Sequence, residues 1–416
     1  MTQSTVNRYR PPRQGPQRPR HIHSTRTGRT RLRGRRRTAA VVLLLFLAFL
    51  IWLTFSVGGA LLNPALGGSV GSRFAEWARS HGGASIVNWA ENEWYSHHPP
   101  PVGGTLPPGS IRTPPTSQKK IAAPIGYLPT PQPMIPFASP AILGEGDWTP
   151  VGRRVDGVPA IYETTLRPDA LHTSYVVGVA WMDTKLLRAS LYSGSWIPGG
   201  GPYPLTAPIK DSSARTLVAA FNAGFLMSDA NGGYYTAGRT EVPLRKGAAS
   251  FVVYRNGTSN IVAWGNGVTL NHSIVSVRQN LDLLVNDGRP VAGLQANDTT
   301  KWGFTLGNAV YVWRSGLGIT ANGALVYVGG PGLNITDLAN LLVRAGAVRA
   351  MELDINTDWV NFSSYRPSTA GGLAAPTNGT ELLPAMTGTP ARYFESWWAR
   401  DFIVMSAVAH PKIVKP

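Results

Sequence analysis

The 416-residue chain has no cysteine, which excludes disulfides, thiolate nucleophiles and every zinc site that uses a thiolate. A domain of more than 250 residues buries enough apolar surface without such cross-links. Acids are sparse, 22 Asp and Glu against 39 Lys and Arg. Histidine is sparser: beyond position 145 only His172, His272 and His410 occur, at spacings unsuited to a metal. No G-x-x-x-x-G-K stretch exists, so a phosphate-binding nucleotide loop is excluded. Gly67–Gly71 matches the G-x-S-x-G hydrolase pattern formally. It follows an apolar run instead of sitting on a strand–helix elbow, and is set aside.

What is present is unevenly placed. The net charge is +17, yet residues 1–37 hold twelve arginines and no carboxylate, which leaves +5 over the other 379 residues. A nucleic-acid groove on the folded part is therefore not implied. The tail 1–37 is too polar to bury a core and is read as disordered and cytoplasmic. Thr38–Leu62 carries no charge over 25 residues, long enough to cross a hydrocarbon core of about 30 Å. Arg35, Arg36 and Arg37 precede it and the next charge is Arg73, so the positive-inside rule puts the N-terminus in the cytoplasm and the remainder outside. The run exceeds the ~7–15 residues of a cleavable signal core, and 38–62 is read as an uncleaved single-pass signal anchor and the membrane contact.

Residues 63–98 read as juxtamembrane amphipathic helices broken at Gly82-Gly83, with Phe74, Trp77 and Ala78 on one face and Ile86, Trp89, Ala90 and Trp94 on another. Such stripes suit a membrane interface or a face of the domain equally. Residues 99–144 include thirteen prolines between 99 and 140 and predict a semi-rigid, Pro-rich spacer. The domain is placed at 145–410. Its apolar runs Tyr175–Met182, Leu217–Phe221, Phe251–Tyr254, Ile261–Trp264, Leu283–Val285, Ala309–Trp313 and Ala324–Val328 predict strands. Asn256-Gly257, Asp287-Gly288 and Asn322-Gly323 predict type I′ hairpins. A helix is expected after Thr336 as N-cap, with Leu338, Leu341, Leu342 and Ala345 on one face and Gly346 closing it, followed by a strand over Ala347–Ile355. The fold class is α+β, a mostly antiparallel mixed sheet with a few packed helices.

Three segments carry candidate chemistry. In Met351–Asp358, strand alternation points Met351, Leu353 and Ile355 inward and gathers Glu352, Asp354 and Asn356 on the other face, with Asp358 just beyond. Crowded carboxyls of this kind raise one another's pKa, as acid–base work needs. In Phe221-Asn222-Ala223-Gly224-Phe225, a strand ends at a small residue where backbone can approach a ligand. In Trp313–Ile319, Arg314 sits beside small residues and offers a fork matched to phosphate. The bland readings are a loop-bracing carboxylate, an ordinary Asn-x-Gly turn and a surface ion pair.

In this order, the segments resemble the phosphodiester glycosidase family, whose members carry Asn-Gly-Gly-Phe-Phe-like, Arg-Thr-Ala-Ile-Gly-like and Leu-Asp-Gly-Gly-Gly-Ser-like motifs. The counterparts are Asn222–Leu226, Arg314–Gly318 and Leu353–Thr357, with further similarity at Gly232–Tyr235 and Val242–Gly247. The glycine run after Asp354 has become Ile-Asn-Thr, so the backbone there must differ. The resemblance implies a hydrolase that releases a sugar from a sugar-1-phosphodiester, of the N-acetylglucosamine-phosphate type, in envelope glycan or exopolysaccharide. It carries over Asn222, Arg314 and Asp354. The strand argument adds Glu352 as a second catalytic carboxyl and Asn356 and Asp358 as substrate contacts, and the close approach of backbone after Asn222 adds Gly224. No cofactor or metal is called for, although carboxylates could hold a divalent cation. The partners expected are an envelope glycan or glycosyl-phosphate substrate and the membrane, with no nucleic acid on the folded domain. The alternatives are a non-catalytic envelope-glycan binding module of the same fold, and an assembly factor using residues 74–94 to bind a membrane partner.

Overall fold

The computed structural model describes residues 27–112, 126–294, 298–303 and 310–409. The chain divides into two compact units, residues 1–59 and 60–416. Where described, the first is a length of helix. α1 spans Thr27–Leu62, so the basic residues from Thr27 to Arg37 continue the apolar helix instead of being disordered. Arginine is a good helix former and the apolar run supplies the nucleus. The rest of the tail, 1–26, lies outside the described residues. Arg37–Leu62 is long and apolar enough to cross a membrane.

The second unit opens with α2 (Val70–Ala78) and α3 (Ala84–His97), joined by a kink where Gly82 takes φ 87°. Ser69 caps α2, accepting from the Ser72 N–H at 3.0 Å, so the Gly67–Gly71 pattern serves a helix start. The Pro-rich stretch is not a free spacer. Where described, it is strapped to the domain: Arg112 pairs with buried Glu163 at 2.5 Å, the Gly103 N–H reaches the Leu171 carbonyl, and Met134 and Ala138 are buried. Proline's stiffness suits a strap as well as a spacer.

Three antiparallel sheets follow among the described residues. In spatial order the first has eight strands: Thr149–Val155, Val158–Leu166, Val177–Met182, Leu325–Leu333, Val312–Thr320, Ala347–Glu352, Leu283–Asn286 and Arg289–Pro290. The second has five: Arg239–Val242, Tyr234–Thr236, Ile274–Gln279, Ala249–Tyr254 and Ser259–Ala263. The third also has five: Gly379–Glu381, Phe362–Tyr365, Leu217–Asn222, Phe402–Ala407 and Leu187–Tyr192. Their shared core includes Phe221, Phe251, Tyr327, Met351, Phe362 and Ile403. With a few helices beside mostly antiparallel sheets, the α+β expectation holds.

α4 spans Ile335–Arg344 and is capped by Asn334, not Thr336: the Asn334 Oδ1 accepts from the Asp337 N–H at 2.8 Å. Leu338, Leu341 and Leu342 are buried against the eight-stranded sheet, each contributing about 1.5–3 kcal/mol. Gly316 and Gly318 make that approach: a Cβ at Gly316 would lie 2.9 Å from Leu342 Cδ1. For this reason the strand runs Val312–Thr320 through a stretch that composition reads as a loop; Ala309, its expected start, lies outside the described residues. The following strand ends at Glu352, three residues earlier than expected, and Met351 and Glu352 are both fully buried. Burial on both faces removes the in–out alternation on which that reading depended. Of the expected hairpins, Asp287-Gly288 has both φ positive (50° and 71°), as type I′ requires. At Asn256-Gly257 and Asn322-Gly323 only the glycine is left-handed, which is the type I turn with a bulge.

Candidate functional site

A cleft of about 380 Å³ opens where the eight-stranded sheet meets the loop after Glu352. Its apolar side includes Tyr175, Phe225, Leu226, Tyr311 and Trp313; its polar groups include Asp354, Asn356, Asp229 and Arg400. Aromatic walls with a few convergent polar groups suit a sugar ring bearing a charged substituent.

Asp354 sits just past the strand end and is 3% exposed. Ser315 fixes its backbone: the Ser315 N–H and Oγ–H donate to the Asp354 carbonyl at 2.8 and 2.9 Å, and the Asp354 N–H donates to Ser315 Oγ at 3.1 Å. Oδ1 accepts from the Ile355 and Asn356 N–H groups at 2.8 and 2.9 Å. Among the described residues Oδ2 takes no hydrogen bond. Burial pushes the Asp354 pKa up. The Arg400 guanidinium is the strongest opposing influence, followed by the two N–H groups and Arg278.

Arg400 lies with its guanidinium carbon 4.5 Å over the Trp359 ring, a cation–π contact that orients the fork. Among the described residues its Nη1 is buried without a hydrogen-bond partner. A buried, unpaired guanidinium nitrogen costs free energy unless an anion completes it. Asp401, next in the chain, pairs with buried Arg278 at 2.6 Å. Asn280 donates to the carbonyls of Glu352 and Leu353 at 2.9 Å each and accepts from the Phe225 N–H at 3.2 Å. These groups lock the cleft floor to the segment 222–226.

The other expected residues separate from Asp354. Arg314 is 3% exposed and does not line the cleft. Its Nη1 donates to Glu352 Oε1 at 2.6 Å, its Nε to the Leu333 carbonyl at 2.9 Å and its Nη2 to the Val310 carbonyl at 3.3 Å. Its fork thus faces protein, not an open cleft. Glu352 is fully buried, and among the described residues its Oε2 is unpartnered. Burial, opposed by Arg314 and aided by Asp354, pushes its carboxyl up to about 7.

Asn222, 2% exposed, welds two sheets: its amide donates to Ser315 Oγ at 3.0 Å, while Oδ1 accepts from Tyr327 Oη at 2.9 Å and the Asn361 N–H at 3.1 Å. Gly224 does admit a close neighbour, but it is Arg278: a Cβ there would lie 3.0 Å from Nη2. Asn356 lines the cleft and its Oδ1 caps the Asp358 N–H at 2.9 Å. Asp358 faces away, against the loop before α2: a Cβ at Gly68 would lie 2.7 Å from its Oδ1. Among the described residues no group of three or more His, Asp or Glu is arranged to hold a metal.

Sequence reasoning passed over Arg400, Trp359, Asp229 and the bracing set Ser315, Asn280, Arg278 and Asp401. One signal was present: Arg400-Asp401 is a charged pair abutting the apolar strand Phe402–Ala407, one residue after two tryptophans.

Residues 215–354 match the phosphodiester glycosidase family. No curated protein matches the chain. Among solved structures, the catalytic domain of zebrafish N-acetylglucosamine-1-phosphodiester alpha-N-acetylglucosaminidase, auto-inhibited by its pro-peptide, is similar at 14% identity and TM-score 0.36, covering 62% of this chain and 87% of that one. A hypothetical protein from Synechocystis is similar at 14% identity and TM-score 0.32, covering 63% and 65%. The matched segment contains Asn222, Arg314, Glu352 and Asp354, whereas Arg400 lies beyond it. The resemblance read from the sequence is borne out: over residues 215–354 this chain matches the phosphodiester glycosidase family.

Proposed function

We propose that this chain is a membrane-anchored, extracytoplasmic hydrolase that releases a sugar from a sugar-1-phosphodiester of envelope glycan. The observation that carries the reading is that one aromatic-walled cleft is lined by both the Asp354 carboxylate and an Arg400 guanidinium whose Nη1 has no partner among the described residues. The family match at 215–354 supports the same reaction class.

The chemistry follows from these groups. Arg400 takes the phosphodiester oxygens, and the aromatic wall and Asn356 hold the sugar. Asp354 faces the anomeric carbon with Oδ2, stabilising positive charge that builds there or accepting a proton from the attacking water. The bond between the anomeric carbon and the phosphate oxygen breaks, and its electron pair leaves with the phosphate. Such a leaving group is already stable as an anion, so little protonation is required. The phosphate-holding role first assigned to Arg314 passes to Arg400. Arg314 and Glu352 become a positioning pair, and Asn222 and Gly224 position the strand end beside them. Asp358 anchors the loop to the segment before α2.

The test uses the full chain in detergent, offered a panel of sugar-1-phosphodiesters beside matched simple glycosides. Free sugar from the phosphodiesters alone, lost in Asp354→Asn, is the expected result. Retention on envelope polymer without any released sugar, by folded protein, would favour the binding-module reading and defeat this one.

A further inference from the structure

The cleft has a wall that the domain does not supply. Glu76 and Arg79 from α2 and the kink, and His98 just after α3, line it together with Asp354 and Arg400. Arg79 holds α2 to α3, with Nη2 2.5 Å from Glu91 Oε1 and Nη1 3.7 Å from Glu76 Oε2. Asp358, four residues after Asp354, packs against Gly67 and Gly68. Beyond that wall the same hairpin carries an apolar face open to solvent: Ile86 is 72% and Trp89 66% exposed, and Trp94, 62% exposed, stacks on His98 at the cleft edge. These three share one face at helical spacing. Only seven residues separate Leu62 from Val70, and Arg73 Nη1 donates to the Leu61 carbonyl at 2.9 Å. A face rich in tryptophan at this position belongs at the boundary of a bilayer.

We propose that the α2–α3 hairpin seats the cleft on the bilayer surface through Ile86, Trp89 and Trp94, and that the substrate is an amphiphile, a sugar-1-phosphodiester whose phosphate carries a long lipid chain. The assignment rests on the hydrolase reading above and narrows it. Water adds its hydroxyl to the anomeric carbon and the bond from that carbon to the phosphate oxygen breaks. The water proton passes through Asp354 to solvent, and the products are free sugar and a lipid monophosphate that stays in the membrane. Confinement in the bilayer raises the effective concentration of such a substrate at the cleft mouth, which a soluble substrate does not share.

Two readouts on the full chain in phosphatidylcholine–phosphatidylglycerol nanodiscs test this. The absence of cysteine makes single labelling clean. A fluorophore on Ala90→Cys should be quenched by brominated lipid and shielded from aqueous iodide, with Asn266→Cys as the water-exposed control. Separately, Ile86→Ser/Trp89→Ser should lower kcat/KM for a long-chain sugar phosphodiester about tenfold or more, while a short-alkyl analogue is turned over as before. An iodide-accessible probe at position 90 overturns the proposal, as does an equal loss on both substrates or no loss on the long-chain one. No turnover of either substrate by unmodified protein with a lipid-seated probe overturns the hydrolase reading itself, and the substrate assignment with it.

Discussion

Replacing Arg314 by methionine separates a structural cation from a substrate-binding one. The side chain keeps most of its volume, but Glu352 Oε1 loses its partner at 2.6 Å, and the carbonyls of Leu333 and Val310 lose their donors. Among the described residues Oε2 already has none. Removing one member of a buried pair costs about 3–5 kcal/mol, and at about 2 °C per kcal/mol for a large domain Tm should fall by roughly 6–10 °C. The loss should depend on pH. Glu352 already stands at about 7, above the ordinary 4.5, so the folded state binds the extra proton and its stability is highest below 4.5 and declines as pH rises through 7. Arg314 pulls that value down, so in Arg314→Met the decline extends to higher pH and is larger. Melts of the full chain at pH 5.5 and 8 should therefore show a wider gap from wild type at pH 8. Glu352→Gln in the same chain should close most of that gap. An unchanged Tm with a raised KM would refute the reasoning and return Arg314 to the substrate.

Other expectations follow from the same contacts. Asp354→Asn keeps the Oδ1 that accepts from Ile355 and Asn356, so Tm should hold while kcat falls about 10²–10⁴-fold, read by initial rates beside a melt. In the proposed role Asp354 acts ionised, and its pKa is raised, so the acid limb of the kcat/KM profile should lie above the ordinary 3.8. Arg400→Gln removes the strongest influence opposing that rise and should move the limb to still higher pH as well as raising KM; an unmoved limb would separate Arg400 from Asp354. Asn222→Ala strands Tyr327 Oη and the Asn361 N–H and should cost about 2–4 kcal/mol in denaturant melts, with KM unchanged in the protein that remains folded.

Much of the framework is legible in the residues. The apolar runs at Leu217, Phe251 and Ala324 became strands because they are continuous and bounded by turn residues, and α4 declared itself by Leu338, Leu341 and Leu342. Asp354 could be found because an acid beside an apolar strand end is conspicuous in a chain with so few. The partnerships were hidden. Glu352 and Asp354 look equivalent by alternation, yet one is buried against Arg314 and the other reaches the cleft, since both faces of that strand are covered. Asn222 sits in a ligand-like motif, but its three hydrogen bonds go to residues 93, 139 and 105 positions away. Arg400 lies 46 residues beyond Asp354, and only the pairing of Phe402–Ala407 with Leu217–Asn222 brings it to the site. Long-range pairing of this kind leaves no local periodicity to read.

The most direct test of the central claim is hydrolysis of a sugar-1-phosphodiester by the full chain in ¹⁸O-labelled water. Under single-turnover conditions, with the products separated and weighed by mass spectrometry before the free sugar exchanges its anomeric oxygen, the label should appear on the sugar and be absent from the phosphate. That result requires attack at the anomeric carbon, where the proposed mechanism puts Asp354 Oδ2, with Arg400 on the departing phosphate. Label on the phosphate instead would mean attack at phosphorus, and would contradict the roles assigned to both residues.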